Sequence, residues 1–349
     1  MNLYIKIIII INNYIIALFT VKNVISYYNS NDSTVSCIAL DISKAFDRVS
    51  HFNLFLKLAK RNVPICVIML LITWYSKCYV SVRWLNSSSS TFRILAGVRQ
   101  GGILSPYFFA IYIEEIIVKL KNYKLGCFIA RQFFGCVMYA DDIFLMAPSC
   151  SLIRRMLEVC CAVLKELDLC INSDKSVFMR FGPRWNKYCA EICIEKRPLK
   201  CVMEANYLGV YITSGVTLSV SSEHIKSKSY RTFNAIYSKC KYAVSELCSV
   251  ELLKAYCLPI LLYGIESFYI LSSMLAVLNK PITRAIGRIF GTYDLHVIND
   301  ICYFVNLDLS CLIRRRKANF VRKFFNKNLA FSNVLYEVAF KPSLLINRV

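Results

Sequence analysis

The chain has 349 residues, 43 Lys plus Arg against 22 Asp plus Glu, a net charge of +21 and 56 % hydrophobic residues. That length supports two domains or one large one with a sizeable core, which excludes a small disulfide-stapled scaffold. The charge points to a polyanionic partner, nucleic acid or an anionic membrane surface, with a solvated basic surface as the plain alternative. Seventeen cysteines with no C-x-x-C pair, and only three histidines (His51, His224, His296), argue against a zinc site and fit a reducing compartment, cytosol or nucleus, rather than secretion. Cys78, Cys136 and Cys160 lie in apolar patterns and read as small hydrophobes.

At the N-terminus, Ile5 to Val21 is the strongest apolar run, but Lys6 and Asn12-Asn13 interrupt it, and a span needs about 20 mostly apolar residues. Residues 35–41 (VSCIALD) predict a buried strand ending in Asp41, and helical spacing follows over 43–60. Pro64 opens a second apolar helix to about Ser76, and 77–85 with 91–95 predict a hairpin around Asn86–Ser90. The loop Gly97-Val98-Arg99-Gln100-Gly101-Gly102 leads into a helix with Ser105 as N-cap and Pro106 first inside it.

Cys136–Tyr139 and Ile143–Met146 are apolar runs on either side of Ala140-Asp141-Asp142, a strand–turn–strand pattern with an acidic pair at the turn. Acidic residues are common in turns for conformational reasons. Two carboxylates among buried strands are nonetheless costly unless neutralised, and two divalent cations held there would serve nucleotidyl transfer. Beyond the pair come a helix over 152–168, a strand near 176–181, and Tyr207-Leu208-Gly209-Val210 in a further strand. From about residue 221 the pattern is helical and basic, and Ala255 to Leu278, with Pro259, Gly264 and Glu266, reads as a buried helical hairpin rather than a membrane segment. Gly215 and a serine cluster mark the best domain cut, giving an apolar leader 1–15, a unit 16–215 and a helical basic unit 216–349.

Five segments together resemble the palm motifs of a reverse transcriptase, in order and in spacing: LDISKAFDRVSH (40–51), GVRQGGILSPYFFAIYIEEI (97–116), MYADDIFLM (138–146), INSDKSVFMRF (171–181) and YLGVYIT (207–213). The Arg-Gln-Gly-Gly loop before Leu-Ser-Pro is most similar to non-LTR (LINE-type) retrotransposons. The resemblance implies an α+β right-hand palm, an antiparallel sheet with helices on one face, followed by a helical thumb. It implies RNA-directed DNA polymerase activity with an RNA template, a DNA primer and dNTPs. It implies two Mg²⁺ ions (Mn²⁺ as an alternative) on Asp41, Asp141 and Asp142, one lowering the pKa of the primer 3′-hydroxyl and one holding the triphosphate.

The same resemblance carries the other roles. Phe46 would be the aromatic gate against a ribose 2′-hydroxyl. Arg99, Gln100, Gly101 and Tyr139 would contact the incoming nucleotide and template, where glycines allow close backbone approach. Lys175 would be the general acid for pyrophosphate, with Asn172 organising its turn, and Asp47 would cap or pair with a basic neighbour such as Arg48. Tyr207, Leu208 and Gly209 would form the primer grip, and Arg314–Lys317 would track a phosphate backbone. Phe46 is otherwise an ordinary core residue, and Arg99, Lys175 and the 314–317 run are otherwise solvated charges.

Only 40 residues precede Asp41, whereas the family carries a fingers region there. Residues 16–35 resemble its last helix and 1–14 resemble nothing in it. The expectation is therefore a chain truncated at its N-terminus, its fingers largely missing and residues 1–14 non-coding or frame-shifted in origin. The alternative function is an inactive retroelement remnant that only binds nucleic acid.

Overall fold

The computed structural model describes residues 14–326 and 332–340, so most of the N-terminal leader lies outside the described residues. The chain divides into two compact units: Tyr27–Val202, and residues 14–26 combined with the chain from Met203 onward. The division falls at 202/203, before the 215/216 cut that Gly215 and the serine cluster suggest. Helix α1 (Tyr14–Ser30) begins in the second unit and ends in the first.

In the first unit, β1 (Val35–Ser43) is the axis. After it come α2 (His51–Lys60), α3 (Ile65–Ser76), β2 (Tyr79–Val80), β3 (Arg83–Trp84), β4 (Ser87–Ser88) and β5 (Phe92–Arg93). Next are α4 (Ser105–Ile113), α5 (Glu115–Asn122), β6 (Phe128–Ile129), β7 (Gln132–Phe133), β8 (Cys136–Tyr139), β9 (Asp142–Ala147) and α6 (Cys150–Glu166). The unit closes with β10 (Cys170–Ile171), β11 (Val177–Phe181), β12 (Cys193–Ile194), β13 (Arg197–Pro198) and β14 (Lys200–Cys201). The main sheet runs β14-β11-β1-β9-β8, with β10 also on β1. It is antiparallel except for the β11–β14 pair.

Alternation along β1 sends Ile38, Leu40 and Ile42 into one core with residues of α2 to α6. Helix α6 buries Ile153, Met156, Leu157, Cys160, Val163 and Leu164, the i, i+3, i+4, i+7 stripe of an amphipathic helix, and Ser149 caps it by accepting from Leu152 N–H. Tyr112 of α4, fully buried, donates its hydroxyl to the Leu167 carbonyl at 3.0 Å and accepts from Ser50 N–H at 3.4 Å. One side chain thus ties the start of α2 to the end of α6. Cys150 and Cys189 stand side by side, their Cα atoms 6.8 Å apart.

The helical spacing over 43–60 is realised only from His51. Residues 44–48 are turns, and Lys44 takes φ +49°, outside the helical region. The hairpin over 77–95 is present, with its inner pairing Arg83–Trp84 on Ser87–Ser88. Ser105 is not the N-cap of α4: it is the first helical residue, and its hydroxyl donates to the Arg99 carbonyl instead of a helix N–H.

Helix α3 (ICVIMLLITWYS) has no charged residue and buries only Ile68 and Leu71. Ile65, Met69, Leu70 and Trp74 of α3 are exposed, as are Trp84, Leu85 and Leu95 of the hairpin region.

In the second unit, β15 (Glu204–Tyr207), β16 (Val210–Thr213) and β17 (Ser219–Val220) form an antiparallel sheet. Tyr207 to Val210 is therefore not one strand. Leu208 and Gly209 sit at φ +50° and +77°, the two-residue turn of a tight hairpin. Helices α7 (Ser222–Cys240), α8 (Glu246–Leu252), α9 (Leu258–Leu261), α10 (Ser272–Phe290), α11 (Leu295–Phe304), α12 (Leu309–Asn326) and α13 (Ser332–Phe340) complete it. The expected helical hairpin over 255–278 is present in outline: α8 runs on through a π turn (Leu253–Cys257) and the short α9, the chain breaks at Gly264 (φ +69°) and a 3₁₀ turn, and α10 follows from Ser272. By length and composition, 295–324 is the one membrane-span candidate among the described residues, but 305–308 separates α11 from α12, with the Asp308 carboxylate accepting from Ser310 and Cys311 N–H.

The adjacent leucines of α3 give a sharp test. Leu71→Ala (6 % exposed) should cost about 2–4 kcal/mol in urea unfolding. Leu70→Lys (67 % exposed) should leave stability unchanged and reduce light scattering from aggregates. Equal destabilisation would contradict the burial pattern.

Candidate functional site

Strands β1 and β9 pair in antiparallel register with Asp41 directly opposite Asp142, and Tyr139 of β8 faces Asp142 from the other side. Directly opposed residues project from the same face with Cβ atoms about 4.5–5.5 Å apart. Asp141 stands in the β8–β9 turn, which Ala140 makes possible by taking φ +50°. The Asp142 carboxyl is pushed up to about 6, first by burial and then by the charges of Asp141 and Asp41. None of the three is ion-paired to a cation among the described residues. They feel one another's charge without closing into a tight cage, for among the described residues no group of three or more His, Cys, Asp or Glu side chains stands ready to hold a metal ion. The donor set is all carboxylate oxygen, the chemistry that suits hard divalent cations. A dication would offset both the burial of the Asp142 charge and the repulsion from Asp141 and Asp41 that together raise it, so donor type and charge fit such an ion.

Asp41 is held by its backbone. Its N–H donates to Ser176 Oγ at 3.1 Å, and its carbonyl accepts from Asn172 N–H at 2.8 Å. The Ser176 hydroxyl donates in turn to the Asn172 carbonyl at 2.7 Å. Asn172 Oδ1 accepts from Asp174 N–H at 3.2 Å and Lys175 N–H at 3.4 Å, an Asx turn that presents Lys175 to solvent. Asn172 organises the turn as expected. Ser176, wholly buried, is the member that sequence reasoning passed over; its position directly after the lysine in an Asn-x-x-Lys-Ser run is the only available signal.

The 44–49 turn and the glycine loop are stitched together. Gly97 N–H donates to the Val49 carbonyl at 2.8 Å and Val98 N–H to the Phe46 carbonyl at 2.7 Å. His51 Nε2 lies 2.8 Å from the Gly97 carbonyl, and Gln100 Nε2 donates to Asp47 Oδ1 at 3.4 Å. Asp47 therefore pairs with Gln100 rather than with a basic neighbour. Phe46 is half-buried, stacked on Phe109 with ring centres 5.0 Å apart. Arg99 and Gln100 are exposed, and Gly101 at φ +79° leaves open space around its Cα. Gly97 is the constrained glycine: at φ +95°, a Cβ would meet the Asp47 carbonyl oxygen at 2.8 Å.

Tyr207, Leu208 and Gly209 lie in the second unit. The Leu208 carbonyl accepts from the Tyr263 hydroxyl at 3.0 Å, and a Cβ on Gly209 would sit 3.1 Å from the Tyr263 ring. Tyr263 stacks on Tyr14 at 4.5 Å. Of the 314–317 cations, Arg314 and Arg315 are exposed. Arg316 turns to Glu266 at 3.2 Å and to the Leu262 carbonyl, while Lys317 is half-buried near Tyr269, its pKa lowered by burial.

A family model described as reverse transcriptase (RNA-dependent DNA polymerase) matches residues 10–212, more than half of the chain. The chain belongs to the reverse transcriptase family. Its relatives include the retrovirus-related Pol polyprotein of the type-1 retrotransposable element R2 from Popillia japonica, 23 % identical over 74 % of this chain and 43 % of that protein. The RNA-directed DNA polymerase of the mobile element jockey from Drosophila melanogaster is 25 % identical over 66 % of this chain and 25 % of that protein. The chain thus spans less than half the length of these relatives, which are of the LINE type. A solved telomerase from Candida tropicalis, in complex with a TWJ fragment of telomeric RNA, aligns over 95 % of this chain and 52 % of its own at TM-score 0.46 and 12 % identity. Reverse transcriptases generally use divalent metals.

Gly97→Ala should cost about 1–3 kcal/mol more than Gly101→Ala in denaturant unfolding, because both glycines have positive φ but only Gly97 faces a backbone atom. Equal costs would show that the loop is not pinned to the 44–49 turn.

Proposed function

We propose that this chain is the polymerase portion of a non-LTR retroelement protein and extends a DNA primer on an RNA template. The first unit would act as palm and the second as thumb. The observation that carries the reading is the register of β1 on β9, which sets Asp41 against Asp142 with Asp141 beside them, inside the segment that matches the family. Asp41, Asp141 and Asp142 would hold two Mg²⁺ ions, or Mn²⁺, and the bound ions would supply Lewis-acid activation of the primer 3′-hydroxyl and offset charge on the triphosphate.

The remaining roles follow from the chain's own groups. The Phe46 ring, pinned by Phe109 and by the Val98 hydrogen bond to its carbonyl, makes a rigid wall where an extra 2′-hydroxyl would collide. Gln100, held by Asp47, and the bare backbone of Gly101 offer a surface on which the nucleotide and template base can pack. Arg99 supplies a free exposed cation for phosphate, and Tyr139, paired with Asp142, flanks the carboxylates. Lys175, exposed at the tip of the Asn172 turn, would protonate the departing pyrophosphate oxygen. The hairpin turn Tyr207-Leu208-Gly209 would seat the primer strand.

A second reading, a chain that only binds nucleic acid, draws support from the loose grouping of the carboxylates. Primer extension on an RNA template with Mg²⁺ separates the two. Asp141→Asn should lower the rate at least about 100-fold, since metal stabilisation supplies several kcal/mol and each 1.36 kcal/mol is about tenfold. Phe46→Val should raise ribonucleotide incorporation about tenfold at little cost to the dNTP rate. No extension, together with salt-sensitive RNA binding, would support the second reading.

A further inference from the structure

A cavity of about 450 Å³ opens among α7, α10 and the start of α11, lined by Tyr230, Asn279, Lys280, Thr283, Arg284 and Tyr293 among others. None of these residues has a role in the site described above. The cavity has the size of a small-ligand site, and none of its lining residues is acidic. Lys280, Arg284 and Arg288 are exposed at i, i+4 and i+8 of α10. Like charges at this spacing disfavour a helix unless an anion screens them. Lys280 and Arg284 form no ion pair among the described residues, and Glu223, which feels Lys280, is already paired with Lys226 at 2.8 Å. Arg284 lies over the Tyr230 ring at 5.8 Å and Arg288 over Tyr237 at 4.9 Å, so the cations are held along an aromatic seam rather than splayed into water.

We propose that this cavity is a docking site for single-stranded RNA, separate from the polymerising centre. An unpaired base stacks on Tyr293, a residue 89 % exposed. The flanking phosphates lie on Lys280 and Arg284, and the Asn279 side-chain amide in the lining answers the 2′-hydroxyl, which distinguishes RNA from DNA, while the Thr283 hydroxyl is spent on the Asn279 carbonyl at 3.1 Å. The choice of RNA rests on the proposed function; the stacking platform and paired cations do not.

The test uses the full chain and a fluorescent, unstructured 12-nucleotide RNA, with a DNA of the same sequence, followed by anisotropy across a salt series. Lys280→Gln with Arg284→Gln should flatten the log affinity against log salt slope by about 1.4, two phosphate contacts' worth on a single strand. Tyr293→Ala should weaken RNA binding about tenfold, and Asn279→Ala should narrow the preference for RNA over DNA. Unchanged melting temperatures would confirm that these positions, exposed except for the half-buried Asn279, were tested in folded protein, and Tyr293→Phe should restore binding. Variants that bind RNA with wild-type affinity and salt slope would overturn the proposal, as would equal affinity for RNA and DNA before and after Asn279→Ala. If the wild type fails to extend primers while these variants still lose RNA binding, the polymerase reading falls and the docking site stands.

Discussion

Everything at the centre of the first unit depends on one pairing: β1 against β9, with Asp41 facing Asp142. Placing like charges opposite each other is unfavourable by a fraction of a kcal/mol or more, and burial adds to the cost, as the raised Asp142 carboxyl records. The register holds because sliding β1 by one residue would turn Ile38, Leu40 and Ile42 out of the core they share with the helices. The hydrophobic pattern therefore holds the carboxylates together against their own repulsion. The Ser176 and Asn172 bonds to the backbone of Asp41 fix the same strand without touching its carboxylate, which stays free for a cation.

Strands and helices whose fate is decided by local pattern were legible beforehand. The run VSCIALD, the strand–turn–strand around Asp141-Asp142 and the stripe of α6 all appear where periodicity puts them. The discrepancies lie where backbone geometry or a distant partner decides. Phe46 has helical spacing with the residues after it, yet its carbonyl is taken by Val98, 52 residues on, so the turn 44–48 stays open. Ser105 looks like a cap, but the Arg99 carbonyl captures its hydroxyl. Tyr207 to Val210 is apolar enough for a strand, yet Leu208 and Gly209 at positive φ reverse the chain there.

Site residues divide along the same line. Their identities follow from motif resemblance, whereas their supports do not. Gln100 donating to the Asp47 side chain joins positions about 50 residues apart, and so do Gly97 pressed on the Asp47 carbonyl and His51 beside the Gly97 carbonyl, the latter two through backbone atoms that carry no sequence signal. In the second unit the four-charge run 314–317 splits: one cation neutralises the buried Glu266 and another shelters near Tyr269, leaving two for solvent. A run of charges states how many cations exist but not which of them face outward.

If Asp41, Asp141 and Asp142 hold a divalent ion as proposed, that ion sits between β1 and the β8–β9 turn. Iron(II) in place of magnesium, with ascorbate and peroxide, cuts the backbone next to its binding site. Cleavage should appear together near residues 41 and 141 and should fade as Mg²⁺ is added in excess. Cuts confined elsewhere, or a pattern that Mg²⁺ does not suppress, would contradict it.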